Sequence, residues 1–329
     1  MKLAASTFSF SDEWIGGELT LPDLLRRLTE SGSPTGVEVI GAQLWRDFPR
    51  LAQEEILAFR RLLDELELEP AAIGVYVDLF RRSDRSLTPK EALGELAAQI
   101  ATAAALGFPV ARLHSGVPLD VLERAAPLAE EAGVAVAIEI QGEQRPDDPG
   151  VASLLELVER LDSPGLGLVL DFSISMRRIP STFTDALLAA GFPRATLEDA
   201  VARWEEGAPT ADVLRALGNA GAPVALLDLR RSGFARFGRQ DPEAWRPHIP
   251  RIAHVHAKFW ELDASGSDPS VRDAELIAVL RHGEYGGFVC SEWGGNAWLD
   301  ADEVDAFALT AQHLGHLLRL IERTSPVPA

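Results

Sequence analysis

VAVAIEIQ at residues 134–141 and LGLVLDF at residues 166–172 are short, almost wholly apolar runs rich in β-branched and aliphatic side chains. Each is followed by a longer stretch with apolar residues at helical spacing, the pattern of buried parallel strands joined by crossover helices. One acidic side chain sits late in each run, Glu139 in the first and Asp171 in the second.

Working outward from this pair, the same pattern recurs at residues 3–8 (LAASTF), 36–40 (GVEVI), 72–77 (AIGVYV), 110–114 (VARLH), 252–259 (IAHVHAKF) and 287–292 (GFVCSE). Eight strands alternating with helices predict the α/β class and a (β/α)8 TIM barrel, with residues 1–329 as one domain. The rhythm breaks once. Pro180, Pro193, Gly207-Ala208-Pro209, Gly221-Ala222-Pro223 and a cluster of arginines fall between the sixth and seventh runs. A long insertion after strand 6, an elaborated loop over residues 172–251, is expected there, serving as a lid or an oligomer contact. The alternative is a ninth strand at residues 224–229 (VALLDL). A closing helix is expected over residues 301–323, followed by a proline-containing tail.

Acidic residues number 50 and basic residues 31, a net charge of −19 that repels nucleic-acid backbones and anionic membranes. No apolar stretch approaches the roughly 20 residues of a bilayer helix. The N-terminus lacks the apolar core of a signal peptide, and the single Cys290 suits a reducing compartment, so a soluble cytoplasmic protein is expected. One cysteine also excludes a thiolate-based metal site, leaving carboxylates and imidazoles.

Side chains two apart on a strand share a face. Glu139, Asp171, His256 and Glu292 all stand late in their strands, and the eight-strand count assigns them to strands five to eight. A buried carboxylate costs several kcal/mol unless a cation or donor network meets it, so several together call for a shared positive partner. These four are the expected ligands of a divalent metal, Mn2+ or Mg2+ in preference, with Co2+ or Zn2+ as alternatives. Taken singly, Glu139 or Asp171 also reads as a helix cap or a stabilising ion pair.

These segments resemble the xylose isomerase-like TIM barrel family across essentially the whole chain: AIEIQGE with Glu139, LVLDFS with Asp171, HVHAKFW with His256 and FVCSEWGG with Glu292. The resemblance implies that Glu139 and Glu292 also handle protons and are the catalytic pair. Epimerases of this family often carry a histidine three residues after the strand-6 aspartate, and here Ile174 stands in that place.

Arg112, His114, His254, Lys258, Trp260 and Trp293 are the expected substrate-binding residues, with His254 alternatively supporting His256. Glu38 is a weaker candidate for a contact to substrate or to the hydroxyls of the first strand. The expected substrate is a small-molecule carbohydrate, with no nucleic-acid or membrane partner, and a homo-oligomer is compatible with the resemblance. The expected activity is that of a sugar isomerase or epimerase removing a proton beside a carbonyl through an enediolate. The alternative is a lyase on the same scaffold, an inosose dehydratase or an enzyme of β-elimination from an oxidised glycoside. An endonuclease IV-like repair enzyme and a non-catalytic sugar-binding barrel rank lower.

Overall fold

In a computed structural model, which describes residues 1–17, 19–32, 34–218, 233–299 and 302–323, eight parallel strands close on themselves in chain order. They are β1 (Lys2–Ser6), β2 (Gly36–Ile40), β3 (Glu69–Val75), β4 (Val110–Leu113), β5 (Ala135–Ile140), β6 (Leu166–Asp171), β7 (Ile252–Phe259) and β8 (Phe288–Trp293). The (β/α)8 TIM barrel predicted from the repeating runs is therefore the observed fold, with strand ends within three residues of those read from the sequence.

Helices return the chain between strands: α1 (Leu21–Gly32), α2 (Gln53–Glu65), α3 (Pro89–Leu106), α4 (Leu119–Glu131), α5 (Pro149–Leu161), α6 (Ser181–Ala189), α7 (Arg194–Glu205), α8 (Thr210–Gly218), α9 (Asp273–His282) and α10 (Ala306–Arg323). Their limits follow local chemistry. At α3, Thr88 and Glu91 form a reciprocal capping box, Pro89 sits at the first turn, and Gly107 ends the helix at φ +93°. The closing helix starts at Ala306, later than residue 301, because the Asp305 carboxylate accepts the amides of Phe307 and Ala308. No helix among the described residues is long and apolar enough to cross a membrane.

Strand alternation divides the interior into two environments. Val37, Val39, Ile138, Ile140, Leu168, Leu170 and Val255 point outward into the core shared with the helices. The intervening residues fill the barrel, with Ala72, Val110, Ala137 and Val169 packed together in its floor. Above them the inward side chains turn polar, including Glu38, Arg112, Glu139, Asp171, His256 and Glu292, all buried. This polar layer lies toward the C-terminal strand ends, where barrels of this kind carry their chemistry.

Between β6 and β7 the described chain forms a short turn at Phe172–Ile174, helices α6 to α8, and a last turn at Pro242–Arg251 that feeds β7. The apolar run at 224–229, weighed above as a ninth strand, lies outside the described residues. Isolated antiparallel bridges join Ser175 to Arg239 and Met176 to Val271, tying this segment back over the barrel mouth.

Candidate active site

Asp171, the last residue of β6, stands beside His256 of β7, and Lys258 beside Glu292 of β8. With Glu139 from β5, the structure brings together the four expected ligands: one donor atom from each of Glu139, Asp171, His256 and Glu292 lies within 4.8 Å of all the others. His256 Nδ1 is the hub, 2.9 Å from Glu139 Oε1, 3.4 Å from Glu292 Oε2 and 3.6 Å from Asp171 Oδ2.

A second buried set fixes the hub. Glu38 Oε2 is 2.7 Å from His256 Nε2 and 2.9 Å from His254 Nε2, while Arg112 Nε donates to Glu38 Oε1 at 3.2 Å. Burial would raise the Glu38 pKa, but the charges of His256 and Arg112 and the histidine hydrogen bonds hold it well below the usual carboxylate range. An ionised carboxylate only accepts, so both Nε2 atoms carry hydrogen. His254 Nδ1 is then left without a partner among the described residues, and burial keeps that ring neutral by lowering its pKa. His256 goes the other way: burial would depress it, yet the charges of Glu292, Glu38 and Glu139 hold it well above the ordinary histidine value. Its Nδ1 is thereby turned toward three carboxylates, the orientation a metal-ligating histidine takes from a carboxylate behind it.

The residues fit a cation on two further grounds. Asp171 Oδ1 accepts the Ser173 amide at 2.7 Å, whereas its buried Oδ2, facing the group, has no hydrogen-bond partner among the described residues. Four buried carboxyl groups, Glu38, Glu139, Asp171 and Glu292, face two permanent cations, Arg112 and Lys258, so a dication replacing the His256 proton balances the charge.

A cleft of about 780 Å³ opens above this group, and Arg112, His114, Glu139, Lys258, Trp260 and Glu292 all contribute to its wall. His114 Nδ1 is 3.0 Å from Glu139 Oε2, and its side chain is 47% exposed. The Lys258 ammonium lies 2.5 Å from Glu292 Oε2 and 4.7 Å from the centroid of the Phe8 ring. Trp260 Nε1, also on this side, has no hydrogen-bond partner among the described residues.

Two expected substrate contacts lie elsewhere. His254 sits one pleat deeper than His256, buried against Glu38, and takes the supporting role instead. Trp293 follows Glu292 and therefore points to the opposite face of β8, where its amide donates to Ser9 and its indole to the Trp260 carbonyl. Glu38 reaches neither substrate space nor the first-strand hydroxyls, because Arg112 and the two histidines occupy its oxygens. The hydroxyl of Ser6 instead donates to Glu292 Oε1 at 3.2 Å. Ser6, Gln141 and Arg236 were not singled out from sequence. Strand parity was the available signal for Ser6, which pairs beside Glu38, but nothing in the sequence joins Arg236 to this cleft.

Comparison with known proteins bears on the fold and the family. The chain is 32% identical over 326 residues to a 3'-dehydrocarminate deglycosidase alpha subunit from a Microbacterium species, covering 95% of this chain and 93% of the relative. It is 32% identical over 332 residues to a C-glycoside deglycosidase alpha subunit from Arthrobacter globiformis, covering 98% and 93%. Residues 26–178 match the family described as xylose isomerase-like TIM barrel. The chain belongs to that family. Among solved structures, D-psicose 3-epimerase from Clostridium cellulolyticum superposes with a TM-score of 0.57 at 13% identity, covering 98% of this chain and 99% of that one. The IOLI protein, solved with a zinc atom, gives 0.56 at 13% identity, covering 99% and 100%. At such identities these two speak to the fold alone.

Proposed function

We propose that the protein is a divalent-metal-dependent lyase that releases the aglycone of an oxidised glycoside by elimination beside the sugar carbonyl. The observation that carries this reading is the buried group Glu139, Asp171, His256 and Glu292 with its unpartnered Asp171 oxygen. The choice of lyase over isomerase rests on the relatives, one named for a dehydro-glycoside and the other for a C-glycoside. A carbon–carbon glycosidic bond offers no leaving oxygen for acid-assisted hydrolysis. A ketone two carbons away solves this by making the intervening C–H acidic.

When bound by these four residues, a divalent ion supplies Lewis acidity for the negative charge that develops on the carbonyl oxygen; Mn2+ and Mg2+ suit the oxygen-rich set best. The chain's own residues form two proton-handling arms. Glu139 and His114 take the proton from the carbon beside the ketone. The bond from the next carbon to the aglycone then breaks, its electron pair leaves with the aglycone, and the Lys258–Glu292 arm returns a proton to that carbon or oxygen. The sugar departs as an enone. Both relatives are named alpha subunits, so assembly with a second chain accompanies this reading.

The isomerase and epimerase reading shares the first step and differs in where the proton returns. Incubation of the protein in D2O with Mn2+, with or without chelator, against 3-oxo-glucosides and ketohexoses separates them. Metal-dependent aglycone release is the expected result; deuterium exchange into ketohexoses without release indicates an isomerase, and the absence of both overturns the proton-abstraction chemistry. Glu139→Gln and Glu292→Gln are each expected to lower kcat/KM by about 10²–10⁴-fold while the fold persists.

A further inference from the structure

Among the described residues, the cations at the cleft are paired, with one exception. Arg112 donates to Glu38 at 3.2 Å and to Glu139 at 3.3 Å, Lys258 to Glu292 at 2.5 Å, and His114 lies 3.0 Å from Glu139. Arg236 lines the same cleft, and its guanidinium meets no carboxylate among the described residues. It is exposed, yet surrounding protein lowers its pKa, with no acidic neighbour among the described residues to restore it.

The backbone that carries Arg236 is held in place. The Gly238 amide donates to the Ser173 carbonyl and the Met176 amide to the Gly238 carbonyl, both at 2.7 Å. Gln240 Nε2 donates to the Gln144 carbonyl at 2.6 Å, and the Phe237 ring packs edge-on to Trp260 at 5.2 Å. Gly142, after β5, approaches so closely that a Cβ there would lie 2.4 Å from the Ala235 carbonyl oxygen. A cation is thus presented to the cleft on fixed backbone in a chain of net charge −19, whose overall field disfavours anions.

The reacting sugar must lie against Glu139 and Glu292, and a cleft of about 780 Å³ leaves room for much more than one ring. Phe8, Ile40 and Tyr76 give the cleft an apolar wall suited to an aromatic group. We propose that Arg236 is a specificity-determining residue that binds an anionic substituent, a carboxylate or phenolate, on the aromatic aglycone. This deepens the lyase reading and rests on it for the identity of the aglycone.

Titration calorimetry with two unoxidised probes, 4-(β-D-glucopyranosyl)benzoate and its carboxamide, tests the proposal without requiring turnover. The wild-type protein is expected to bind the benzoate about tenfold more tightly or better, as for a charge-assisted arginine contact. Arg236→Gln is expected to erase that preference, and Arg236→Lys to retain part of it, having the charge without the planar fork. Circular dichroism of each variant guards against a folding defect. Equal preference in wild type and Arg236→Gln, no preference in the wild type, or no binding of either probe overturns the proposal. Arg236-dependent binding of glucose 6-phosphate in place of the benzoate overturns the aglycone assignment. Failure of the lyase reading shows separately, as a persisting probe preference in a protein that releases nothing from the 3-oxo form of the same benzoate.

Discussion

Glu38 answers three donors, Arg112 and the Nε2 atoms of His254 and His256, with two oxygens. Its role is to orient His256, so Glu38→Gln, whose amide cannot accept from both histidines and Arg112 together, is expected to weaken metal binding by about 10–100-fold. Equilibrium dialysis followed by elemental analysis measures this; unchanged affinity contradicts the orienting role. Arg112 carries the opposite burden, since it offsets both Glu38 and Glu139 while all three side chains are buried. Arg112→Met leaves buried carboxylates short of a partner and is expected to destabilise the protein by about 3–5 kcal/mol, read from urea unfolding. A cost well under 1 kcal/mol contradicts that accounting.

Among the elements, the junction of the β5 loop with the segment after α8 matters most for the cleft. Gly142 has φ +56° and Gly238 would place a Cβ 2.0 Å from the Gly142 carbonyl oxygen, so neither position accepts a side chain without separating the two loops. Gly142→Ala is expected to cost about 1–3 kcal/mol by overpacking. It is also expected to raise hydrogen exchange at the Gly238 and Gln240 amides, which bond to the Ser173 and Ile174 carbonyls. Exchange at wild-type rates there contradicts the coupling. This junction was illegible in the sequence, because glycines 96 residues apart carry no mark of their mutual contact.

For the whole molecule, buried titratable groups set the acid limit of stability. Burial pushes His313, on α10 against Phe259, down to about 3 from 6.5. Its folded pKa lies below its unfolded one, so its contribution is complete above pH 6.5 and is lost as pH falls toward about 3. Glu38 and Glu139 lie well below 4.5, so their contributions hold above that pH and are lost beneath it. His256 has the opposite sign: raised in the fold, it stabilises the metal-free protein below pH 6.5 and ceases to as pH rises through its elevated value. The urea midpoint is expected to fall steadily below pH 6.5, and His313→Gln to flatten the upper part of that decline. Identical slopes for the two proteins between pH 6.5 and 4.5 contradict the assignment to His313.

Eight apolar runs were enough to determine the barrel, because period-two burial and crossover spacing are local properties that a chain must satisfy before strands can pair. The same alternation also marked Glu139, Asp171, His256 and Glu292, since a charge late in a buried strand has few physical excuses. Tertiary structure alone decided depth and company. His254 and His256 differ by one pleat, yet one supports and the other faces the carboxylate cluster, because barrel closure stacks Glu38 from β2 beneath β7. The Arg236 contact with the cleft likewise depends on a return over the barrel mouth, fixed by Ser173, Gly142 and Gln240, and such long-range packing has no periodic signature along the chain.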